Sequence, residues 1–263
     1  MDLKLKDKIA IVTGASRGLG AATAAALSAE GVKVIINSRN ADKLQATAEK
    51  IHAQTGNPVL PVAGDVSAPD FPAQLIAAAV REFGGLDVLI TNAGGPPPGR
   101  FDSFTDADWQ RAFETSLMSH VRLIRAALPF LEQSTCASVL TVTSSSVKQP
   151  IPNLILSNSI RAATVGLTKS LALELGEKNI RFNSILPGWT KTERVEQLLS
   201  ARAAQNHSST EMEHQKQAAE SPLKRLAVPE EFAAAAVFLV SPAASYITGV
   251  MLSVDGGSVK GLL

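Results

Sequence analysis

Three glycines, Gly14, Gly18 and Gly20, separate an apolar run from a helical pattern in the stretch KIAIVTGASRGLGAATAAALSAE. Glycine lets a backbone approach a ligand closely and adopts torsions that other residues resist. The helix that follows offers unpaired N–H groups and a positive dipole end, which together favour a pyrophosphate. Many tight turns need glycine for geometry alone, but here strand, spacing and helix agree as a nucleotide motif requires. We therefore predict that the turn binds a nucleotide through Gly14, Ser16, Arg17, Gly18, Leu19 and Gly20.

Short apolar runs rich in β-branched residues alternate with helix-length segments along the whole chain. This alternation is typical of βαβ units, which build a parallel sheet with helices on both faces. No linker rich in proline, glycine or serine divides the chain, so we expect one domain over residues 1–263. Ligands of such sheets bind beyond the carboxyl ends of the strands. The predicted strands are Ile9–Thr13, Lys33–Asn37, Val59–Ala63, Val88–Thr91, Ser138–Thr143, Arg181–Leu186 and Met251–Val254.

The composition is 45% hydrophobic and 19% charged, which is typical of a globular protein. A net charge of +1 indicates neither a nucleic-acid partner nor a membrane surface. The one cysteine, Cys136, excludes an internal disulfide and suits a reducing compartment. The N-terminal residues lack the apolar region of a signal peptide, and no apolar run approaches the ~20 residues of a membrane span. We expect a cytoplasmic protein and predict no metal site.

The loop after the second strand carries Arg39 and has no acidic residue to accept hydrogen bonds from the ribose 2′-hydroxyl of NAD. Together, Arg39 and Arg17 could bind a 2′-phosphate through charge-assisted hydrogen bonds. The alternative is that both are solvated surface arginines. We favour the first interpretation and expect NADP(H) in preference to NAD(H). Asp65 and Val66 follow the third strand and could bracket the adenine, or Asp65 could cap the helix predicted over Pro69–Phe83.

Four short motifs occur in order: Thr13-Gly14-x3-Gly18-x-Gly20, Asn92-Ala93-Gly94, Pro187-Gly188-x3-Thr192 and Val254-Asp255-Gly256-Gly257. With this combination the whole chain resembles the short-chain dehydrogenase/reductase family, and in general appearance its 3-oxoacyl-acyl-carrier-protein reductases. The resemblance implies a Rossmann-type doubly wound sheet of about seven parallel strands, and hydride exchange between a nicotinamide and a carbonyl or alcohol. A simple turn at the end of a strand would also explain Pro187 and Gly188. The cofactor-binding residues that the resemblance implies are Asn92, Ala93, Gly94, Pro187, Gly188, Thr190 and Thr192.

The catalytic positions depart from the pattern of this family. Relatives have a serine after the fifth strand, a tyrosine thirteen residues later, a lysine four beyond that, and an asparagine on a long helix. Here Ser144 holds the serine position, but Ser157 replaces the tyrosine and Arg161 replaces the lysine. Ser116 replaces the asparagine. A tyrosine phenol has an ordinary pKa of about 10, whereas an aliphatic hydroxyl such as that of Ser157 is a poor general acid near neutral pH.

Another group must then supply the proton, since Arg161 stays protonated and can only orient and polarise a substrate. Our hypothesis is that Lys148 does so, because desolvation and the like charge of Arg161 would favour its neutral form. The alternative is that Lys148 is a solvated loop lysine. A water chain held by Ser144, Ser157 and Arg161 is a second route. His120 could join this chain, although a lone helical histidine is more often a packed residue.

Two predicted helices carry apolar stripes that suit an oligomer interface. The helix predicted over Asp106–Leu131 has apolar residues at helical spacing on one face: Leu117, Val121, Ile124, Leu128 and Leu131. The helix that begins near Ser157 has a second stripe: Ile160, Ala163, Leu167 and Leu171. The resemblance implies that these helices pack against symmetry mates, so we expect a homodimer or homotetramer. Packing of both stripes on the sheet would explain part of the pattern.

The charged segment Glu193–Glu220 has Val195, Leu198 and Leu199 on one side. We predict that it forms a helical lid over the substrate, within a lid region of about residues 190–222. A disordered insertion without substrate contacts is the alternative, and we expect its polar middle, residues 203–214, to be mobile. Trp189, at the root of the lid, is predicted as an apolar wall of the substrate pocket.

Three functions are compatible with these residues. The first is an NADP(H)-dependent oxidoreductase of a carbonyl or secondary alcohol, with a small-molecule or acyl-carrier substrate and a non-standard proton relay. The second is a catalytically inactive protein that binds NADP(H) as a sensor or partner subunit. The third is a lyase or isomerase that uses the pocket without net hydride transfer. The nucleotide-facing residues together with Ser144 favour the first function, because the nicotinamide itself supplies the hydride.

Overall fold

Seven parallel strands form one sheet in the computed structural model, which describes residues 1–262. Their order across the sheet is β3-β2-β1-β4-β5-β6-β7. The predicted strands are confirmed, each within one residue of its expected ends, and so is the doubly wound parallel architecture. The strands are β1 (Ile9–Val12), β2 (Lys33–Ser38), β3 (Val59–Ala63), β4 (Val88–Thr91), β5 (Ser138–Val142), β6 (Arg181–Pro187) and β7 (Met251–Val254).

Helices cover both faces of this sheet, so its central strands are buried on both sides and are almost wholly apolar. One core, with Leu27, Leu44 and Phe232, lies under α1, α2 and α9. The other, with Leu75 and Leu123, lies under α3, α5 and α6. The helices of the described residues are α1 (Gly18–Ala29), α2 (Ala41–Thr55), α3 (Phe71–Phe83), α4 (Asp106–Phe113), α5 (Ser119–Leu131), α6 (Ile155–Glu174), α7 (Glu193–Gln205), α8 (Thr210–Glu220) and α9 (Pro229–Val240).

The long helix predicted over Asp106–Leu131 is present, but it is not regular throughout. A π-helical turn over Glu114–Met118 joins α4 to α5. Such wide turns occur inside helices mostly at functional sites. The candidate residue Ser116 lies within this turn and is buried.

The two apolar stripes are only partly covered within the chain. On α5, Ile124 and Leu131 belong to the core, while Val121 and Leu128 are half-buried. On α6, Ala163 is exposed. Packing on the sheet therefore explains part of the pattern, and the remaining surface is available for a second subunit.

The carboxyl ends of all seven strands meet at one edge of the sheet, because the strands are parallel. The strand order reverses between β1 and β4, where the chain winds outward in both directions. In doubly wound folds, the crevice beyond this reversal point is the usual ligand site. Gly14, Asn92, Ser144 and Gly188 each follow a strand at this edge, and the fold therefore gathers them as predicted.

The predicted lid is a pair of helices, α7 and α8, joined by a short turn. Its polar middle, residues 203–214, is thus the end of one helix and the start of the next. Glu213 and Gln217 of α8 are buried, and Gln217 accepts a hydrogen bond from Arg202 of α7 at 2.9 Å. These contacts favour the helical-lid interpretation over the disordered insertion. Within residues 1–262, no helix has both the length and the apolar character needed to cross a membrane.

Candidate active site

The glycine-rich turn between β1 and α1 has the conformation that the sequence predicts. Gly14 and Gly18 have φ angles of +61° and +56°, in the left-handed region that other residues rarely adopt. A Cβ atom on Gly14 would lie 2.6 Å from the backbone oxygen of Asn92, so no larger residue fits there. The helix cap Arg17 makes no side-chain hydrogen bond to the first turn of α1, which contains no acidic residue. This cradle fits a pyrophosphate.

Hydrogen bonds fix this turn against β2 and α2. Ala15 donates its N–H to the oxygen of Asn37 at 2.9 Å, and the Thr47 hydroxyl donates to the oxygen of Ser16 at 2.9 Å. Leu19, at the start of α1, packs against the core. The three glycines therefore lie on a rigid support, as a preorganised phosphate site requires.

The Asn92-Ala93-Gly94 segment after β4 is bonded to the glycine-rich turn. The Thr13 hydroxyl donates to the Asn92 oxygen at 2.8 Å, and Asn92 Nδ2 donates to the Gly14 oxygen at 3.3 Å. A Cβ atom on Gly94 would meet nothing within 4 Å, so its backbone borders open space. Asn92 thus has a structural role, while Gly94 is placed where a ligand can approach the backbone.

The two arginines expected at the adenosine ribose differ in their ion pairing. Arg39 is exposed, and no carboxylate in residues 1–262 forms an ion pair with it. Arg17 pairs with Glu193, the first residue of α7. Arg17 would therefore have to leave Glu193 before it could bind a 2′-phosphate.

Asp65 does not cap a helix, so that alternative is wrong. The helix begins at Phe71, and Asp65 instead accepts hydrogen bonds from the N–H and hydroxyl of Ser67, at 2.9 and 2.7 Å. Desolvation raises the pKa of Asp65, but the Ser67 hydrogen bonds and the charge of Arg39 outweigh it and leave a lowered pKa. Val66 is buried in the core beside it.

The segment after β6 serves partly as structure. A Cβ atom on Gly188 would lie 2.6 Å from Cα of Asp255, so close packing alone requires this glycine. Pro187 is the last residue of β6, and Thr190 is buried. The strand-exit interpretation of Pro187 and Gly188 thus has direct support, and it does not exclude a ligand above the turn.

Thr192 packs against the glycine-rich turn. Its methyl carbon lies 3.3 Å from the position of a Cβ atom on Gly18. Its hydroxyl also caps α7 by accepting the N–H of Val195 at 3.3 Å. Thr192 therefore joins the nucleotide cradle to the root of the lid.

Trp189, for which a role as an apolar wall of the substrate pocket stays a prediction, is half-buried at the root of the lid. It lines a cavity of about 360 Å³ between the lid and the C-terminal residues, and the lining includes neither Ser144 nor Arg161. The Arg202 guanidinium lies 5.1 Å from the Trp189 ring centroid, a distance at which a cation is attracted to the ring face. Trp189 thus holds α7 to the body of the protein.

Ser144 and Ser157 lie at the same edge of the sheet. Ser144 is the second residue after β5 and is half-buried. Its hydroxyl oxygen accepts the N–H of Ser146 at 3.1 Å. The Ser144 hydroxyl proton is still available for a ligand. Ser157 on α6 is buried, and its hydroxyl forms no hydrogen bond with the described residues.

Ser116 contributes its backbone as well as its side chain. The Thr164 hydroxyl of α6 donates to the Ser116 oxygen at 2.6 Å, which ties the π-helical turn to α6. The Ser116 hydroxyl is buried and has no partner among the described residues. Buried hydroxyls without partners are uncommon in proteins.

Arg161 lies one helical turn after Ser157 and is only 9% exposed. Its Nη1 donates to the backbone oxygens of Val142 and Thr143, at 3.1 and 2.8 Å. Burial, and after it the charge of Arg194, lowers the pKa of Arg161 to about 10. The guanidinium therefore stays protonated at neutral pH, and it is fixed at the carboxyl end of β5.

His120 is a packed residue rather than a proton donor. It is buried, and its Nδ1 lies 2.6 Å from the hydroxyl oxygen of Thr91. Burial, and after it the positive charge of Arg161, lowers the pKa of His120 to about 3. At neutral pH the imidazole is neutral and gives no acid to the site.

The structure favours the alternative for Lys148, a solvated loop lysine. Lys148 is exposed at the end of a short turn. The chain's one tyrosine, Tyr246, is fully exposed and precedes β7, which places it at the opposite edge of the sheet. No phenol or desolvated lysine is therefore brought to Ser157 within residues 1–262.

Arg194 is a site residue that sequence reasoning missed. It is the second residue of α7, and its Nη2 donates to the oxygen of Pro96 at 3.1 Å, in the loop that follows Gly94. A cation in the first turn of a helix is opposed by the helix dipole. A basic residue at the start of a predicted helix was therefore the sequence signal that could have identified Arg194.

Comparison with known proteins identifies the family to which the chain belongs. A family model described as Enoyl-(Acyl carrier protein) reductase matches residues 14–259. The chain is a short-chain dehydrogenase/reductase. The match extends from the glycine-rich turn to the C-terminal residues, as the resemblance of the four motifs predicts.

Several members of this family are similar over their full length. A 7alpha-hydroxysteroid dehydrogenase of Escherichia coli (strain K12) is 34% identical over 261 residues, 99% of this chain and 98% of that protein. A solved structure of a 7 alpha-hydroxysteroid dehydrogenase, complexed with NADH and 7-oxo glycochenodeoxycholic acid, has a TM-score of 0.87 at 33% identity, covering 100% of this chain and 98% of that chain. The L-sorbose reductase of Gluconobacter frateurii, complexed with NADPH and L-sorbose, has a TM-score of 0.95 at 33% identity and covers 100% of both chains.

The 3-oxoacyl-acyl-carrier-protein reductases are also among these relatives. That of Chlamydia trachomatis serovar D is 32% identical over 253 residues, 96% of this chain and 98% of that protein. Relatives named for a steroid, a sugar and an acyl-carrier substrate thus have nearly the same identity to this chain, between 32% and 34%.

Proposed function

We propose that the protein is an NADP(H)-dependent oxidoreductase that reduces a carbonyl compound to a secondary alcohol through a non-standard active site. The observation that carries this proposal is one edge of the sheet that holds both a glycine cradle for a pyrophosphate and Ser144 beside the fixed cation Arg161. The family relatives complexed with NADPH and with NADH support a nicotinamide dinucleotide. The free Arg39 supports the 2′-phosphate form.

Gly14, Gly18 and Gly20, with Gly94 and Thr192 opposite, would hold this dinucleotide. When bound, it supplies a hydride and thereby carries the redox chemistry of the reaction. The chain's own residues then have to bind the carbonyl group and stabilise the negative charge that develops on its oxygen. We assign this role to the Ser144 hydroxyl and the Arg161 guanidinium.

The source of the proton has to be considered separately, because no acidic side chain of the described residues reaches Ser157. The carbonyl carbon gains a hydride, the electron pair of the broken π bond moves to oxygen, and one proton must reach the resulting alkoxide. His120 is neutral, Arg161 remains charged and Lys148 is exposed. We therefore propose that solvent water supplies this proton, held by Ser144 and Ser157.

Coenzyme binding and the pH dependence of turnover test this proposal. Calorimetric titration should show binding of NADPH, and reduction of a ketone panel should be visible as loss of the reduced-nicotinamide absorbance. Between about pH 6 and pH 9 we expect kcat/KM to be nearly constant, because neither His120 nor Arg161 titrates in that range. Negligible affinity for NADPH would contradict the proposal, and a clear break within this range would contradict the solvent route.

A catalytically inactive NADP(H)-binding protein is the second candidate. The observation that favours it is that no side-chain acid within the described residues reaches Ser157. It predicts tight NADPH binding with no consumption across the same ketone panel. If the native protein reduces any ketone and the Ser144→Ala variant does not, the inactive-protein candidate is excluded.

We also propose that the protein assembles as a homodimer or homotetramer. The support is the incompletely covered apolar surface of α5 and α6, which includes Val121, Leu128 and Ala163. Sedimentation equilibrium would measure the assembly, and a monomer at micromolar concentration would contradict this part of the proposal.

A further inference from the structure

Two arginines at the carboxyl edge of the sheet have no acidic partner. Arg161 uses only Nη1, toward the oxygens of Val142 and Thr143. Its Nε and Nη2 make no hydrogen bond with residues 1–262, and no carboxylate there forms an ion pair with it. A buried charge is ordinarily paired, because leaving it alone in a poorly hydrated place is costly.

Arg194 is also without a counter-charge in the part of the chain that the structure describes. The nearest acidic residues along its own helix are already engaged: Glu193 pairs with Arg17, and Glu196 lies 2.8 Å from His214. Arg194 is exposed along much of its length, yet desolvation around its guanidinium lowers its pKa. Its place in the first turn of α7 adds the opposition of the helix dipole.

The two guanidinium groups reach the same short stretch of backbone. Arg161 Nη2 lies 3.6 Å from the position of a Cβ atom on Gly95, and Arg194 Nη2 donates to the oxygen of Pro96 at 3.1 Å. Gly95 and Pro96 are consecutive, with Cα atoms ~3.8 Å apart. Two uncompensated cations therefore converge close to Ser144, on the backbone that directly follows the Asn92-Ala93-Gly94 segment.

We propose that Arg161 and Arg194 form a dibasic pocket that binds a carboxylate of the substrate, so that the substrate is an oxo acid. This inference rests on the proposed function and names its substrate class. A guanidinium presents paired donors that match the two oxygens of a carboxylate. A neutral ketone or sugar would itself bring no negative charge to the two guanidinium groups. The reaction is then oxo acid plus reduced coenzyme plus one proton from solvent, giving hydroxy acid plus oxidised coenzyme.

The pocket is shared between the lid and the body of the protein. Arg194 lies on the lid, whereas Arg161 lies on α6 beneath it. A carboxylate bound between them would link the lid to the body of the protein. Binding of the substrate anion would thus add to the contacts of Glu193 and Arg194 that already hold the start of α7 at the cleft.

The test uses oxamate, a small oxo-acid analogue, and its neutral counterpart oxamide. Each is titrated calorimetrically into the full-length protein, with and without saturating NADPH. We expect oxamate to bind at least about tenfold more tightly than oxamide, which is the size expected for charge-assisted hydrogen bonds. Equal affinity for the two, or oxamate binding that saturating NADPH abolishes, would overturn the proposal. NADPH affinity is measured separately, so loss of coenzyme binding would count against the proposed function and not against the pocket.

Variants assign the binding to the two arginines. Arg194 is exposed and Arg194→Gln should fold, so we expect it to lower oxamate affinity at least about tenfold and to leave NADPH affinity unchanged. Lys191→Gln removes one exposed charge nearby and should retain oxamate affinity. Arg161→Lys keeps the buried charge but not the paired donors, so oxamate should bind several-fold more weakly. Unchanged oxamate affinity in Arg194→Gln, or tighter binding of inorganic phosphate than of oxamate, would overturn the carboxylate assignment.

Discussion

Acidification from about pH 7.5 to about pH 5 should destabilise this protein through one buried residue, His120. The folded protein holds the imidazole neutral, against the hydroxyl of Thr91 and within reach of the charge of Arg161. The unfolded chain exposes the same imidazole to water. It therefore binds a proton at a pH where the folded protein does not.

The magnitude follows from the two pKa values of His120. The pKa is about 3 in the folded protein and 6.5 in its ordinary environment. Because the folded pKa is depressed, the contribution to stability is complete above pH 6.5 and is lost progressively as the pH falls toward 3. At pH 5, about 1.5 units below the unfolded pKa, the loss is about 2 kcal/mol.

Urea unfolding at the two pH values measures this loss. His120→Asn removes the titrating group and should abolish most of the pH dependence. His207→Asn is the matched control, because His207 is exposed at a φ of +50°, a conformation that asparagine tolerates. The reasoning is refuted if the native protein loses less than about 0.5 kcal/mol, or if His120→Asn loses as much as the native protein.

Other perturbations test the binding edge. Lys148→Met should leave turnover undiminished, since Lys148 is exposed, and steady-state kinetics would show any loss. Arg39→Gln should weaken NADPH about tenfold and leave NADH unaffected in competitive titrations. Gly14→Ala should cost about 1–3 kcal/mol of stability and abolish coenzyme binding, because its Cβ would meet the Asn92 oxygen at 2.6 Å. Gly94→Ala, whose Cβ meets no protein atom within 4 Å, should weaken NADPH while leaving the urea midpoint unchanged.

The fold could be predicted from the sequence because its signals are local. Each strand of a fully covered parallel sheet must be apolar on both sides, so runs such as Ile9–Val12 and Ser138–Val142 are recognisable on their own. The lid was also predictable as helical, but the turn near residue 206 was not. Its polar residues satisfy each other, since Ser208 and Asn206 both donate to Glu213, and such contacts leave no hydrophobic period in the sequence.

The conformation of the glycine-rich turn could be predicted from the sequence, whereas the surroundings of the candidate catalytic side chains could not. The spacing of glycines is visible in the sequence, whereas the charge state of a side chain depends on the residues that pack around it. Lys148 and His120 are both basic residues near Ser144, yet one is exposed and the other is buried and neutral. Arg194 is distant in sequence from Arg161, and only the loop at Pro96 brings them together.

A site that has Ser157 in place of a phenol gives the two directions of the proposed reaction different pH dependences. In reduction, the alkoxide forms first, and Arg161 acts at that step by stabilising negative charge; water can protonate the alkoxide afterwards. In oxidation, an alcohol must give up its proton before or during hydride loss, and a base is needed to accept it. Arg161, with a pKa of about 10, and the buried His120 leave no such base with access to the substrate at neutral pH. We therefore expect carbonyl reduction to be nearly independent of pH and alcohol oxidation to rise with hydroxide concentration, because a route in which water is the acid runs in reverse with hydroxide as the base.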